Sequence, residues 1–281
     1  MYEDRLVCFI DILGFKELIE LSVLPIDSDK LLMLGDDRPR SAKDVYGILE
    51  SLSYILEIHK EDHYNPESER YKELIKYRPP IFQQGDIPDF QFSILSDSIV
   101  FSVNRLSTST IMLFCDMVEA ITSLLFEVSS TCRGGITWGK LYHSDNVVFG
   151  PAFIAAYQIE QKAVYPRVII SQEIIQMLSG NDLKELLKIR LTQDDDKYYF
   201  VDIIKYYASC QQYNEIVTSF THQLHWLLTL YLDHPDLQIR DKYNWYRMRF
   251  NKLLKKVKKL VKAGCREEYY REEFLNLPYF K

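Results

Sequence analysis

Short apolar runs and amphipathic segments alternate along the first two thirds of the chain, a pattern typical of folds that mix strands and helices. The apolar run LVCFID at 6–11 predicts a buried strand, and a helix is predicted to follow from Leu13 to Leu21. A second helix with a 3.6-residue period is predicted from Val45 to Leu56. The polar, proline-bearing segments 25–41 and 61–89 are predicted to be loops.

The middle of the chain carries a hairpin pattern followed by mixed elements. The runs FQFSIL at 90–95 and SIVFSV at 98–103 are separated only by Ser96 and Asp97, which predicts a β-hairpin with Asp97 at its tip. Further predicted elements are a helix at 108–129, strands at 131–138 and 146–149, a small-residue helix at 151–163, a strand at 167–170 and a helix capped by Ser171. This order predicts an α+β fold with the split βαββαβ arrangement of ferredoxin-like folds and a mostly antiparallel sheet.

From about residue 205 the pattern becomes helical and aromatic, and helices are predicted at 209–233 and 240–263. The sequence therefore predicts a domain at 1–205 and a helical extension at 206–281. Lysines crowd the end of the last helix. They are interpreted either as a solvated face that complements the helix dipole or as a patch that binds phosphate or a partner.

Composition narrows the classes of function. The 281 residues carry a formal net charge of −6, so the whole molecule has no electrostatic footprint for nucleic acid. The five cysteines form no CxxC pair, which fits a reducing compartment. The N-terminus lacks the basic and apolar order of a signal peptide, and no apolar run has the length of a membrane span. The protein is therefore expected to be cytoplasmic, with no nucleic-acid or membrane partner.

Two acids are the strongest candidates for chemistry. Asp11 ends the first predicted strand, and Asp97 lies at the tip of the predicted hairpin. In the split βαββαβ arrangement these two places are neighbours, so the carboxylates converge although 86 positions separate them (97 − 11). Paired carboxylates hold Mg²⁺ or Mn²⁺, which bind phosphate oxygens and activate a hydroxyl. The alternative interpretation makes each acid a helix cap or a turn residue.

Three segments in order resemble the class III nucleotidyl cyclases. FIDILGF at 9–15 is similar to the first metal motif of that family, and LSDSIV at 95–100 is similar to the second. RGGITWG at 133–139 is similar to the Arg-x-Gly-Ile-x-x-Gly strand of the family. The resemblance covers roughly residues 5–205 and implies a cyclase catalytic domain, which converts a nucleoside triphosphate into a 3′,5′-cyclic monophosphate and pyrophosphate.

The resemblance also implies a set of site residues. Asp11 and Asp97, helped by the Ile12 carbonyl, would hold two Mn²⁺ or Mg²⁺ ions. The backbone amides of Gly14, Phe15 and Lys16, at a helix start, would receive the phosphates. Further substrate contacts are expected from Phe9, Ser93 and Leu95. Arg133 is a candidate cation for the developing phosphate charge, with a surface ion pair as the alternative. Catalytic domains of this family pair head to tail, so a homodimer is expected.

Departures from the family narrow the substrate. The family's Asn and Arg, four residues apart on one helix, correspond to Ile154 and Gln158, and its purine-selecting Lys and Asp correspond to Ser93 and Val147. The segment 150–169 is similar to the bacterial Pycsar cyclases, which make cyclic UMP or cyclic CMP in anti-phage defence and signal to a separate effector. The resemblance thus implies UTP, or else CTP, as substrate. The alternative is a catalytically inactive cyclase-like module that senses nucleotides or binds a partner.

Overall fold

The computed structural model describes residues 1–24, 41–64, 88–209, 214–262 and 279–280. The strands in this part of the chain are β1 (Glu3–Leu13), β2 (Phe90–Leu95), β3 (Ser98–Val103), β4 (Thr131–Ser144), β5 (Val147–Phe149), β6 (Val168–Ile170), β7 (Leu191–Gln193) and β8 (Tyr199–Val201). They form one sheet in the order β2-β3-β1-β4-β6-β8-β7, and β5 pairs with β4 beside this path. Every pair is antiparallel except that of β4 and β6.

The helices in the same part of the chain are α1 (Phe15–Ser22), α2 (Ala42–Tyr64), α3 (Thr108–Glu127), α4 (Pro151–Lys162), α5 (Gln172–Met177), α6 (Gly180–Ile189), α7 (Ile203–Ser209), α8 (Asn214–Tyr231) and α9 (Leu237–Lys262). Ser107 caps α3 in a capping box with Thr110. The Ser171 side chain accepts a hydrogen bond from the Ile174 amide, so the predicted cap of α5 is confirmed.

The predicted α+β class with a mostly antiparallel sheet is confirmed, and the hairpin strands have the predicted bounds. Strand β1 continues two residues past its predicted end at residue 11, and β4 runs to Ser144. Helix α6 and the strands β7 and β8 were not predicted, because three-residue strands are too short to show an alternation. The predicted loop at 25–41 lies outside the described residues except for Ser41. Of the predicted loop at 61–89, residues 61–64 belong to α2 instead, and residues 65–87 lie outside the described part of the chain.

One face of the sheet packs on helices α1, α2 and α3. Alternate residues of β1, namely Leu6, Cys8 and Ile10, are fully buried in this core together with Leu52 of α2 and Phe114 of α3. Helix α3 has the length and hydropathy of a candidate membrane span, and 67% of its most apolar window is buried inside the protein. Its apolar surface is thus accounted for by the core that it fills.

Helix α4 packs on the opposite face, across β1 and β4. Val7 and Phe9 of β1 form a small apolar cluster with Ala152 and Ala156 of α4. A Cβ atom at Gly135 of β4 would collide with the carbonyl oxygen of Ala156, so the helix backbone lies directly on the strand at this glycine. The small side chains of α4 therefore serve close packing on the sheet.

The two C-terminal helices, α8 and α9, pack against each other and against α3 and α7 through a second, aromatic core. Phe126 of α3 contacts the Tyr246 ring of α9 at a centroid distance of 5.4 Å, and Phe200 of β8 contacts Trp245 at 5.4 Å. This aromatic cluster includes buried residues from both sides of the predicted domain boundary at 205, which falls within α7. The division of the chain into 1–205 and 206–281 stays a prediction.

Candidate active site

A row of side chains crosses four strands on the face that carries α4. The pairing register sets Leu95 of β2 opposite Ser98 of β3, Ser98 opposite Asp11 of β1, and Asp11 opposite Arg133 of β4. Directly paired residues in antiparallel strands share one face of the sheet, so these four side chains point the same way. Strand pairing alone thus places Asp11 beside Arg133 and near the hairpin tip.

The hairpin tip brings Asp97 to the same place. The Ile12 amide donates a hydrogen bond to the backbone oxygen of Asp97 over 2.8 Å, so the tip is fixed directly beside Asp11. Ser96 has φ +61°, the left-handed conformation that lets a two-residue turn reverse the chain here. The Asp97 side chain is exposed, whereas Asp11 keeps 24% of its side-chain surface accessible. The predicted convergence of the two acids is present in the structure.

Arg133 lies between two carboxylates. Its Nε is 3.4 Å from Oδ2 of Asp11 and also contacts Oε1 of Glu160 on α4. The Glu160 side chain is only 1% accessible, and its Oε2 accepts a hydrogen bond from the Gln161 side-chain amide over 2.5 Å. A carboxylate this deeply buried needs a cation nearby, and Arg133 supplies it. Arg133 therefore forms ion pairs within its own chain, and it also borders the acid site.

At both Asp11 and Glu160, burial and the charge of Arg133 shift the carboxyl pKa in opposite directions, and burial prevails. Burial is the largest influence on Asp11 and raises the pKa of its carboxyl, and the Asp97 charge raises it further, whereas Arg133 and, more weakly, Lys242 of α9 oppose the rise. Burial likewise raises the pKa of Glu160, against the opposing charge of Arg133. Three acids with one close arginine leave this corner of the sheet with an excess of negative charge.

This donor set fits a hard divalent cation. Two neighbouring carboxylates offer oxygen ligands of the kind that Mg²⁺ uses together with water and substrate phosphates. The repulsion between Asp11 and Asp97, seen in the raised pKa of Asp11, is the interaction that a cation bound between them would relieve. Within the described ranges no group of three or more His, Cys, Asp or Glu residues could hold a metal ion. Asp11 and Asp97 are a pair and stay the predicted ligands. The role of the Ile12 carbonyl stays a prediction.

The predicted phosphate-binding turn follows β1 immediately. Gly14 has φ +82°, a left-handed conformation that other residues rarely adopt, and it begins α1 without a side-chain cap. Phe15 is buried, whereas the Lys16 side chain is 91% exposed and lies 3.7 Å from Glu20. The turn thus lies next to Asp11 in sequence and in space, and its backbone amides stay the predicted phosphate ligands.

Ser93 belongs to a buried polar network. Its hydroxyl donates to the Asp145 carbonyl over 2.9 Å and therefore accepts from Nε2 of His143, 3.0 Å away. Arg5 donates to the Ser102 hydroxyl over 2.9 Å, which in turn donates to Nδ1 of His143 over 2.8 Å. Every polar atom of the neutral imidazole is thus satisfied. Burial, helped by the Arg5 charge, lowers the pKa of His143 from 6.5 to about 4.

The remaining predicted residues differ in accessibility. Phe9 is only 6% exposed, because Phe153 and Tyr157 of α4 cover its ring at centroid distances of 5.7 and 5.6 Å. Leu95 is 39% exposed at the hairpin. Ser93, Phe9 and Leu95 all stay predicted substrate contacts. Arg167 is buried and pairs with Asp194 and Asp196, so its charge is used in holding the turn between β7 and β8.

Two charged residues beside the acids were missed by the sequence reasoning. Glu160 follows Ala152 and Ala156 at steps of four, so it is an acid on the buried stripe of an otherwise small-residue helix. That pattern was a signal for a paired buried charge. Lys242 gave no comparable signal, because its place beside Asp11 depends on how the C-terminal helices pack.

Comparison with known proteins gives structural matches only. No family model matches the chain, and no curated protein is similar in sequence. Two structures of a bacterial light-regulated adenylyl cyclase match 81% of this chain at 12% identity, with TM-scores of 0.38 and 0.40. This chain spans 57% and 58% of their length. The catalytic core of a rhodopsin-guanylyl cyclase with converted specificity, in complex with ATPαS, matches 71% of this chain and 95% of its own at 15% identity, with a TM-score of 0.41. Matches at this level do not transfer an activity or a substrate.

Replacing Arg133 should destabilise the protein through Glu160. Arg133→Met leaves a buried carboxylate without its cation, and we expect the free energy of unfolding to fall by about 3–5 kcal/mol. Adding Glu160→Gln to that variant removes the unpaired charge and should recover part of the loss. Chemical denaturation measures both variants. The matched control is Lys140→Met on the same strand, whose pair with Asp4 is exposed and contributes about 1 kcal/mol or less. An Arg133→Met protein as stable as this control would contradict the assignment.

His143 should make stability depend on pH. In the unfolded chain the imidazole takes a proton below about pH 6.5, whereas in the folded protein it resists protonation down to about pH 4. Stability linked to His143 is therefore full above pH 6.5 and is lost by about 3 kcal/mol as the pH falls to 4. Denaturation at a series of pH values gives the free energy of unfolding of the parent protein and of His143→Gln. The difference between the two should be constant above pH 7 and shrink below it. A constant difference from pH 8 to pH 4 would refute the neutral buried imidazole.

Proposed function

We propose that this protein is a nucleotidyl cyclase that converts a nucleoside triphosphate into its 3′,5′-cyclic monophosphate and pyrophosphate. The observation that carries the proposal is the convergence of Asp11 and Asp97, fixed by the hydrogen bond from the Ile12 amide to the Asp97 carbonyl. The uncapped start of α1 at Gly14 follows directly and presents backbone amides at a helix N-terminus, where anions bind. Acids and amides in this order suit a triphosphate bound together with cations.

The residues of the chain divide the work between cation and substrate. Asp11 and Asp97 would hold Mn²⁺ or Mg²⁺, which when bound clamps phosphate oxygens and lowers the pKa of the attacking ribose hydroxyl. The amides of Gly14, Phe15 and Lys16 orient the β- and γ-phosphates. Arg133, held by Glu160, keeps Asp11 in place from the strand beside it. The ribose 3′-hydroxyl then gives its proton to solvent and attacks the α-phosphorus, the bond from that phosphorus to the bridging oxygen breaks, and pyrophosphate leaves.

UTP is the proposed substrate, with CTP second. The positions that correspond to the purine-selecting Lys and Asp are Ser93 and Val147. The Ser93 hydroxyl is engaged by His143 and Asp145, and Val147 is a 54% exposed apolar residue. Neither offers a free partner for the polar edge of a purine, and each such group buried unpaired costs about 1–3 kcal/mol. A cyclic pyrimidine nucleotide would serve as a second messenger to a separate effector, in keeping with a role in anti-phage defence.

A non-catalytic module is the second candidate. Ile154 and Gln158 stand on the exposed side of α4, where the class III cyclases carry the Asn and Arg that stabilise the transition state. A protein that only senses nucleotides could dispense with those groups. It would also have no use for two acids held close together against their mutual repulsion, which favours the catalytic proposal.

The purified protein should make cyclic UMP as its main product when all four NTPs compete at equal concentration with Mn²⁺. Asp11→Asn and Asp97→Asn should each lower turnover by roughly a thousandfold or more, since each removes a metal ligand. Asp195→Asn is the control, because this acid is 95% exposed in a turn away from the site. Dominant cyclic AMP or cyclic GMP would refute the pyrimidine assignment alone. Absence of any cyclic product would favour the non-catalytic module.

We also propose that two copies of the chain pair through the face that carries α4. Large apolar side chains are exposed there on α4 and β5: Ile154 is 56% exposed, Tyr157 47%, Val147 54% and Phe149 43%. Leu95, in the same cross-strand row as Asp11, extends this surface to the hairpin. Clustered exposed apolar residues mark an interaction surface. Because the surface borders the acid site, a head-to-tail homodimer would close each site with groups from the other copy.

Ile154→Glu should convert a dimer into a monomer and abolish turnover, since it places a charge at the centre of the apolar surface. Light scattering at fixed concentration and the cyclase assay measure the two effects. Met177→Glu is the matched control, because Met177 is 60% exposed on α5, away from this surface. A parent protein that is monomeric at assay concentration while fully active would overturn the dimer proposal.

A further inference from the structure

The C-terminal helices hold the strand ends that flank the candidate site. The Trp226 indole donates to the Ser129 hydroxyl over 3.1 Å, and the Tyr231 hydroxyl donates to the Ser129 carbonyl over 3.1 Å. The next residue, Ser130, donates from its hydroxyl to the carbonyl of Leu13 over 2.6 Å. Helix α8 is thus linked through two consecutive serines to the residue that precedes the phosphate-binding turn.

Helix α9 reaches the same strand ends. Tyr243 stacks on Tyr231 with a centroid distance of 4.0 Å, and the Tyr246 hydroxyl forms a 2.8 Å hydrogen bond with that of Thr131. Thr131 pairs with Leu13 in the register, two residues beyond the pairing of Arg133 with Asp11. These contacts fix the first turns of α9 beside the end of β1.

Lys242 occupies the side of α9 that faces this corner. It lies four residues before Tyr246, on the same side of the helix, and its side chain is partly buried. Among the residues that the structure describes, no carboxylate lies within ion-pair distance of Lys242. The contacts of Tyr243 and Tyr246 with α8 and β4 hold this part of α9, and Lys242 with it, at the end of β1 that carries Asp11.

A triphosphate bound at the site would need a further cation. A nucleoside triphosphate carries several negative charges, and Arg133 is already shared between Asp11 and Glu160. Helix α4 carries the uncharged Ile154 and Gln158 at the positions that correspond to the family's Asn and Arg. The Lys16 side chain is 91% exposed and lies beside Glu20. A lysine ammonium is a compact point charge that suits phosphate oxygens.

We propose that Lys242 binds the triphosphate of the substrate, so that the C-terminal helix contributes a substrate-binding residue to the site. The inference rests on the proposed nucleotide-binding function of the acids. It also gives the extension a role beyond packing, because the tyrosines of α8 and α9 set the position of this ammonium group.

Binding of 3′-deoxy-UTP, which lacks the attacking hydroxyl, and of inorganic tripolyphosphate, both with Mn²⁺, tests the proposal by calorimetry. Lys242→Ala should weaken both by roughly tenfold or more, Lys242→Glu should weaken them further, and Lys242→Arg should retain most of the affinity. Lys255→Ala is the matched control: it is an exposed lysine on the same helix, roughly 20 Å along the axis. Thermal unfolding of every variant should match that of the parent, which separates a ligand contact from a structural role.

The outcomes distinguish this proposal from the one on which it rests. If the parent protein binds both probes and Lys242→Ala binds them as tightly as Lys255→Ala, the lysine assignment is overturned and the nucleotide site stands. If the parent protein binds neither probe, the proposed function fails and takes the lysine assignment with it. Weaker binding by Lys242→Ala that is accompanied by lower stability, and is not rescued by Lys242→Arg, also overturns a direct contact.

Discussion

The ion pairs of Arg133 are the interaction on which both the fold of this face and the candidate site depend. One guanidinium joins β4 to Asp11 on β1 and to Glu160 on α4, in a place where the helix backbone lies directly on the strand at Gly135. The close approach buries Glu160, so the cation is required by the fold before any ligand arrives. The same cation fixes Asp11 beside the hairpin tip. Stability and site geometry therefore share one residue and cannot be separated by a single substitution.

A second dependence runs through the aromatic core at the end of the sheet. Tyr231, Tyr243 and Tyr246 use their rings to pack the C-terminal helices and their hydroxyls or stacking partners to reach Ser129 and Thr131. Buried tyrosines that satisfy their hydroxyls in this way fix both position and orientation. The extension is thus attached to the ends of β1 and β4 by specific polar contacts as well as by apolar burial, and the turn at Gly14 lies beside this attachment.

Features set by local patterns could be predicted from the sequence, whereas contacts between distant segments could not. The hairpin was readable because two alternating runs flank a two-residue turn, and the meeting of Asp11 with Asp97 followed from the order of elements. The pair of Glu160 with Arg133 could not be predicted, because it depends on the packing of α4 on β4 at Gly135. Lys242 depends on the packing of α9, which no local pattern specifies. Strand β8 is held by pairing with β6, and strand β7 by pairing with β8; both were too short to be recognised alone.

The cost of holding two acids close together supports the proposed binding of cation and phosphate at this place. Holding Asp97 beside Asp11 raises the pKa of a carboxyl that burial already disfavours as an anion, so the arrangement opposes folding. Replacing either acid with a neutral residue would relieve that cost without opening a cavity. Residues that lower stability, with a cation and helix amides around them, are those that function retains at the expense of the fold. Ile154 and Gln158 bring no charge to the exposed side of α4, and in our proposal Lys242 of the C-terminal helices supplies the cation that binds the phosphates.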